Sequence, residues 1–114
     1  MDSSRKAFCL YGLEAGDLNS IRQELEKALN IAFEAHNSSY LGDYYLFQGK
    51  DGEQIRLRPN MDPLDGSPAE PAFKEKALLL EVDSLTEGSP RSAEIENMIR
   101  KCLPRVELLR RETH

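Results

Sequence analysis

Residues 44–58 read YYLFQGKDGEQIRLR. Tyr44 to Gly49 is aromatic and branched, the composition that suits a pleated, half-buried strand. Gln54 to Arg58 alternates cleanly, with Ile55 and Leu57 facing one way and Arg56 and Arg58 the other. Between the two lies Lys50-Asp51-Gly52-Glu53, and an Asp-Gly pair between strand patterns signals a hairpin. The stretch is therefore two antiparallel strands, and it sets the character of the sheet.

Working backwards, Tyr40-Leu41-Gly42-Asp43 marks a turn. Before it, Ile31, Phe33 and Ala35 alternate with Ala32, Glu34 and His36, and we read a strand over residues 31–37. A helix precedes that strand. Asp17 is its N-cap, and Leu18, Ile21, Leu25, Ala28 and Leu29 recur at helical spacing. The stripe could run on through Ala32 and Phe33, but Asn30 tolerates the left-handed conformation that ends helices. Lys6 to Leu13 is apolar on both sides and reads as a central first strand.

Working forwards, Ala77 to Val82 (ALLLEV) is another apolar strand. Ser89-Pro90 opens a second helix with Glu94 and Glu96 early in it, which suits that end of the helix dipole. Pro104 stops it, and Arg105 to Arg111 reads as a last strand. The fold class is α+β: two helices on one face of a mostly antiparallel sheet of about five to six strands, order β-α-β-β-β-β-α-β, in one domain spanning residues 1–114.

One connection is out of proportion. Pro59 to Pro71 (PNMDPLDGSPAEP) holds four of the six prolines and three carboxylates, Asp62, Asp65 and Glu70. Strands joined without a crossover helix need only about two to five linking residues. A stiff acidic loop of this length is expected to reach something. Either it is a contact surface for a basic partner, or it folds back over the sheet as a lid neutralised by Arg56 and Arg58.

Composition narrows the function classes. The 114 residues carry 31% charged and 39% hydrophobic side chains, ordinary for a globular chain. No apolar run approaches the roughly 20 residues of a membrane helix. The N-terminus shows no small-residue cleavage pattern, so no secretory signal is expected. Cys9 and Cys102 lack any CxxC or Cys/His company and are expected to be reduced, buried thiols of a cytoplasmic protein. The net charge of −5 argues against binding nucleic acid directly. Residues 1–98 carry ten basic and eighteen acidic side chains, and residues 99–114 five and two, so the body is acidic and the tail basic. An acidic body attracts a basic partner.

Chemistry finds little support. Taking Gly66 as the sixth residue of a calcium loop puts Met61 first and Pro63 third, neither with a side-chain oxygen. The two histidines, His36 and the terminal His114, are too few for a transition-metal site. Only Cys9 with His36 could form a nucleophile and base, and Cys9 lies in an apolar strand. GKDGE lacks both the spacing of a phosphate loop and a following helix. Neither catalysis nor a cofactor or metal is expected. The aromatics offer binding instead: Tyr44 and Tyr45 face opposite ways, so at least one points away from the core.

YLGDYYLFQG, QIRLRPNMDPLDGSPAEP and ALLLEV together resemble small bacterial immunity proteins, which neutralise the toxin domains of contact-dependent inhibition and related polymorphic toxin systems. The resemblance spans roughly residues 31–84. It implies a cytoplasmic protein that binds one cognate toxin domain, often a nuclease with a basic phosphate cleft, without catalysing anything. The contact residues it implies are Asp62, Asp65 and Glu70 on the loop, Asp51 and Glu53 at the hairpin tip, and Tyr44 or Tyr45 as an apolar anchor. The alternative from another class is a ferredoxin-like regulatory or ligand-binding module that pairs with a second copy through an open sheet edge.

Overall fold

The computed structural model describes residues 5–113. Its elements are β1 (Lys6–Leu13), α1 (Leu18–Leu29), β2 (Glu34–Ser38), β3 (Gly42–Gln48), β4 (Gln54–Pro59), β5 (Leu78–Thr86), α2 (Pro90–Cys102) and β6 (Glu107–Thr113). The strands form one sheet in the order β2-β3-β4-β5-β1-β6. Every neighbouring pair is antiparallel. The α+β reading holds: two helices lie against a six-stranded open sheet, with β1 in its interior.

Local chemistry accounts for the element boundaries. Asp17 accepts hydrogen bonds from the backbone N–H of Ser20 at 2.9 Å and its hydroxyl at 3.0 Å, which caps α1. Asn30 ends the helix in the left-handed region, φ 55° and ψ 51°. Ser89 caps α2 through the N–H of Ser92, with Pro90 in the first turn. The 44–58 hairpin closes through a 3-10 turn at Lys50–Gly52, with Gly52 at φ 84°.

The expected strand over residues 31–37 is corrected: β2 begins only at Glu34. The backbone N–H of Phe33 is taken by the Glu26 carboxylate at 2.9 Å instead of by a neighbouring strand. Ile31 and Phe33 still pack against the core, but from a linker. Their alternation recorded burial and not strand geometry.

Cross-strand register separates the two faces, because side chains paired across antiparallel strands point the same way. Tyr45, Leu57, Leu80 and Tyr11 form one row, and Phe47, Ile55, Val82 and Cys9 the next. Both rows belong to the apolar cluster that also takes Leu25 and Leu29 from α1 and Ile95 and Ile99 from α2. The opposite face carries Leu46, Arg56, Glu81, Leu10 and Arg110 in one row, then Arg58, Leu79, Gly12 and Glu107. Neither α1 nor α2 lies on that face, yet Leu10 and Leu79 are buried. The segment after β4 is what folds over it.

Candidate partner-binding surface

The long loop begins at Asn60, and Asn60 organises it. This residue is buried although polar. Its backbone N–H donates to the carbonyl of Ala77 at 2.8 Å. Its side-chain amide donates to the carbonyls of Phe73 at 3.0 Å and Lys76 at 2.9 Å, and its side-chain oxygen accepts from the N–H of Glu70 at 2.8 Å. One amide thus satisfies three backbone groups that would otherwise be stranded. Nothing in the sequence around Asn60 announces this, since all its partners are ten or more residues downstream.

The far end of the loop is tied by Lys76. Its side chain is only 4% exposed, with the ammonium 2.6 Å from Glu107 Oε1 and 3.4 Å from Glu14 Oε2. The hydrogen bond to Glu107 holds the ammonium above its usual pKa. The aliphatic stem lies across Gly12, where an added Cβ would meet Lys76 Cγ at 2.8 Å. Glu70 reaches Arg110 on β6 at 3.5 Å. The segment after β4 therefore does reach across this face, through Glu70 and Lys76.

Its acidic tip is separate from that cover. Asp62 accepts from the N–H of Leu64 at 2.9 Å, and Asp65 accepts from the N–H and hydroxyl of Ser67 at 2.9 and 2.7 Å. The hydrogen bond from the Ser67 hydroxyl is the main reason the Asp65 carboxyl sits below its usual pKa, so it stays ionised in mildly acid solution. Backbone bonds from Asp62 to Ser67 and from Gly66 to Asp62 close residues 62–67 into a tight ring. Among the described residues, neither carboxylate has a cationic partner within ion-pair distance. Arg56 and Arg58 are engaged elsewhere: both turn to Glu81 on β5, at 2.7 and 3.8 Å. The lid held by Arg56 and Arg58 is thus not what forms. Arg110 and Lys76 hold the cover, and Asp62 and Asp65 remain free.

The other expected contact residues fall away from this tip. Glu53 stands at the opposite end of β4 from the start of the loop at Pro59, roughly 20 Å off at about 3.3 Å per residue. It is 15% exposed and bound by Arg91 of α2 at 3.2 and 3.3 Å, so its charge is spent within the molecule. Asp51 lies in the same turn, and its side chain is outside the described residues. Tyr45 packs on the helix side, with the Arg22 guanidinium 5.1 Å above its ring. Tyr44 does face away from the helices, but it stacks on His36 at 5.2 Å with Arg56 over the ring at 5.7 Å. Neither tyrosine is a free anchor.

Cys9 and Cys102 are free thiols, half-buried and not fully enclosed. Burial pushes the Cys102 thiol up. Among the described residues, no three His, Cys, Asp or Glu side chains gather as a metal site. No described helix is long and apolar enough to cross a membrane. No protein-family model matches the sequence, and no curated protein matches it.

Proposed function

We propose that this chain is an immunity protein, which binds a cognate basic toxin domain through the acidic tip of the 59–71 loop and neutralises it without catalysis. The observation that carries this reading is that, among the described residues, neither Asp62 nor Asp65 has a cationic partner, on a loop anchored from below by Asn60. Carboxylates held in this way occupy a phosphate site, or the rim of one, at little cost in ordering. Complementary charge sets encounter rate and register more than it sets affinity.

The alternative, a regulatory module paired with a second copy through a sheet edge, has β2 and β6 as its free edges. β6 is bulged against β1 at Leu10/Tyr11 and carries Arg110, Arg111 and Glu112, features that discourage edge pairing. β2 is only five residues long. The acidic tip is the better-supported surface.

The test is co-expression with a toxin domain encoded beside this chain. Protection and a stable complex are expected. Asp62→Lys together with Asp65→Lys is expected to weaken the complex and flatten its salt dependence. Unchanged protection and binding in that double variant would overturn the assignment of the contact to the loop.

A further inference from the structure

Large exposed apolar side chains are scarce among the described residues: Tyr40 at 80%, Leu64 at 76% and Met61 at 48%. Tyr40 lies 21 positions before Met61 and 24 before Leu64 in the chain. Met61 and Leu64 flank Asp62 and Pro63 on the loop. Tyr40 stands at the tip of the β2–β3 turn, which Gly42 closes at φ 70°. The two segments touch, because a Cβ built on Gly42 would lie 3.5 Å from Pro63 Cβ.

Both segments are stiff. Ser38 Oγ accepts from the N–H of Leu41 at 2.9 Å, and Asn37 Nδ2 donates to Asp43 Oδ1 at 2.7 Å across the base of the turn. Residues 62–67 are closed by the backbone bonds Asp62 N–H to Ser67 and Gly66 N–H to Asp62. The backbones that carry the three exposed side chains are thus held by their own local hydrogen bonds. Exposed apolar groups rimmed by polar ones mark interaction surfaces.

The rim selects the occupant. Residues 38–43 and 59–71 contain no Lys or Arg, and they contain Asp43, Asp62, Asp65 and Glu70. Only Glu70 has a cationic partner among the described residues, Arg110. We infer that Tyr40, Met61 and Leu64 form one composite apolar anchor, which docks into a protein surface whose apolar centre is ringed by Lys and Arg. This rests on the reading above and replaces Tyr44 and Tyr45 as its anchor. Apolar anchors set dissociation while rim charges set association, so the two parts are separable.

The experiment has two arms. In the first, a labelled sample of the chain is titrated by NMR with a synthetic amphipathic helix of leucine and lysine, and with the same peptide carrying glutamate for lysine. Amide shifts confined to residues 38–43 and 59–67, with the lysine peptide alone, are expected. Tyr40→Ser with Leu64→Ser is expected to weaken binding about tenfold or more. Both side chains face water, so an unchanged melting temperature in this variant verifies the fold. Shifts elsewhere, no binding, or equal binding by the serine variant overturns the anchor. In the second arm the probe is the adjacent toxin domain. If that domain binds the serine variant as well as the parent, the anchor falls and the immunity reading stands. If it does not bind the parent at all while the peptide maps to the patch, the immunity reading falls and the anchor stands.

Discussion

A methyl group on Gly12 would lie 2.8 Å from Cγ of Lys76 and 2.7 Å from Cδ1 of Leu109. The bare Gly12 backbone on β1 is the floor over which the Lys76 stem passes to reach Glu107 and Glu14. Gly12→Ala is expected to cost about 1–3 kcal/mol, the usual penalty for overpacking a filled site. Urea denaturation measures it. Because Lys76→Ala removes two of the three atoms in the way and leaves Leu109 Cδ1, the double variant should lose less than the sum of the two singles while keeping part of the penalty. Strict additivity would mean that the two residues do not meet as described.

Asn60 offers a second handle on the loop. Asn60→Ala strands the N–H of Glu70 and two carbonyls, and is expected to destabilise by about 2–3 kcal/mol. The expected readout beyond stability is faster proteolysis within residues 61–76. Asn60→Asp still accepts from the N–H of Glu70 but sets a carboxylate oxygen against the carbonyls of Phe73 and Lys76, so it should also be clearly destabilising. Near-parental stability in both would remove Asn60 as the organiser.

Alkaline pH should expose Tyr11. Burial, and then the neighbouring Cys9, push its hydroxyl from 10.0 to about 12. The folded state then holds the proton after the unfolded chain has released it. Stability from this group is complete below pH 10 and is lost as pH rises towards 12, to the extent of about 2–3 kcal/mol. Tyr11→Phe cannot ionise, so its stability should fall less over the same range. Parallel curves for the two proteins would contradict the shift.

Glu53 tests whether a carboxylate with an internal cation plays any part in partner binding. Its pair with the partly exposed Arg91 contributes about 0.2–1 kcal/mol. Glu53→Gln is expected to lower stability by that small amount and to leave partner binding unchanged. A loss of binding comparable to that of the Asp62 and Asp65 charge reversals would return the hairpin end to the interface.

Most elements were legible because their signals are local. The Asp17 cap, the Asn30 stop, the Ser89-Pro90 start and the alternation of Gln54 to Arg58 each lie within a few residues of what they specify. The one misread segment, Ile31 to Phe33, shows where that fails. Two apolar residues spaced by two look like a strand, and only a carboxylate seven residues earlier on α1 decides otherwise.

The site was legible as a loop and not as a set of partners. Four prolines and three acids within Pro59 to Pro71 marked the segment from the sequence alone. Which acids stay free depended on pairings that no local pattern carries. Arg56 finds Glu81 across 25 positions, Glu70 finds Arg110 across 40, and Lys76 finds Glu14 across 62. The sequence by itself determined the chain order of the elements, the mostly antiparallel sheet and the acidic loop, since periodicity, caps and turns act over one or two turns of chain. The strand order within the sheet came from the tertiary structure. Only the tertiary structure decided that Glu53 and Glu70 have cationic partners, that Asp62 and Asp65 have none among the described residues, and that the turn at Gly42 meets the loop at Pro63. Ion pairs and surface patches are set by distance in space, and the sheet register brings together residues that the chain keeps far apart.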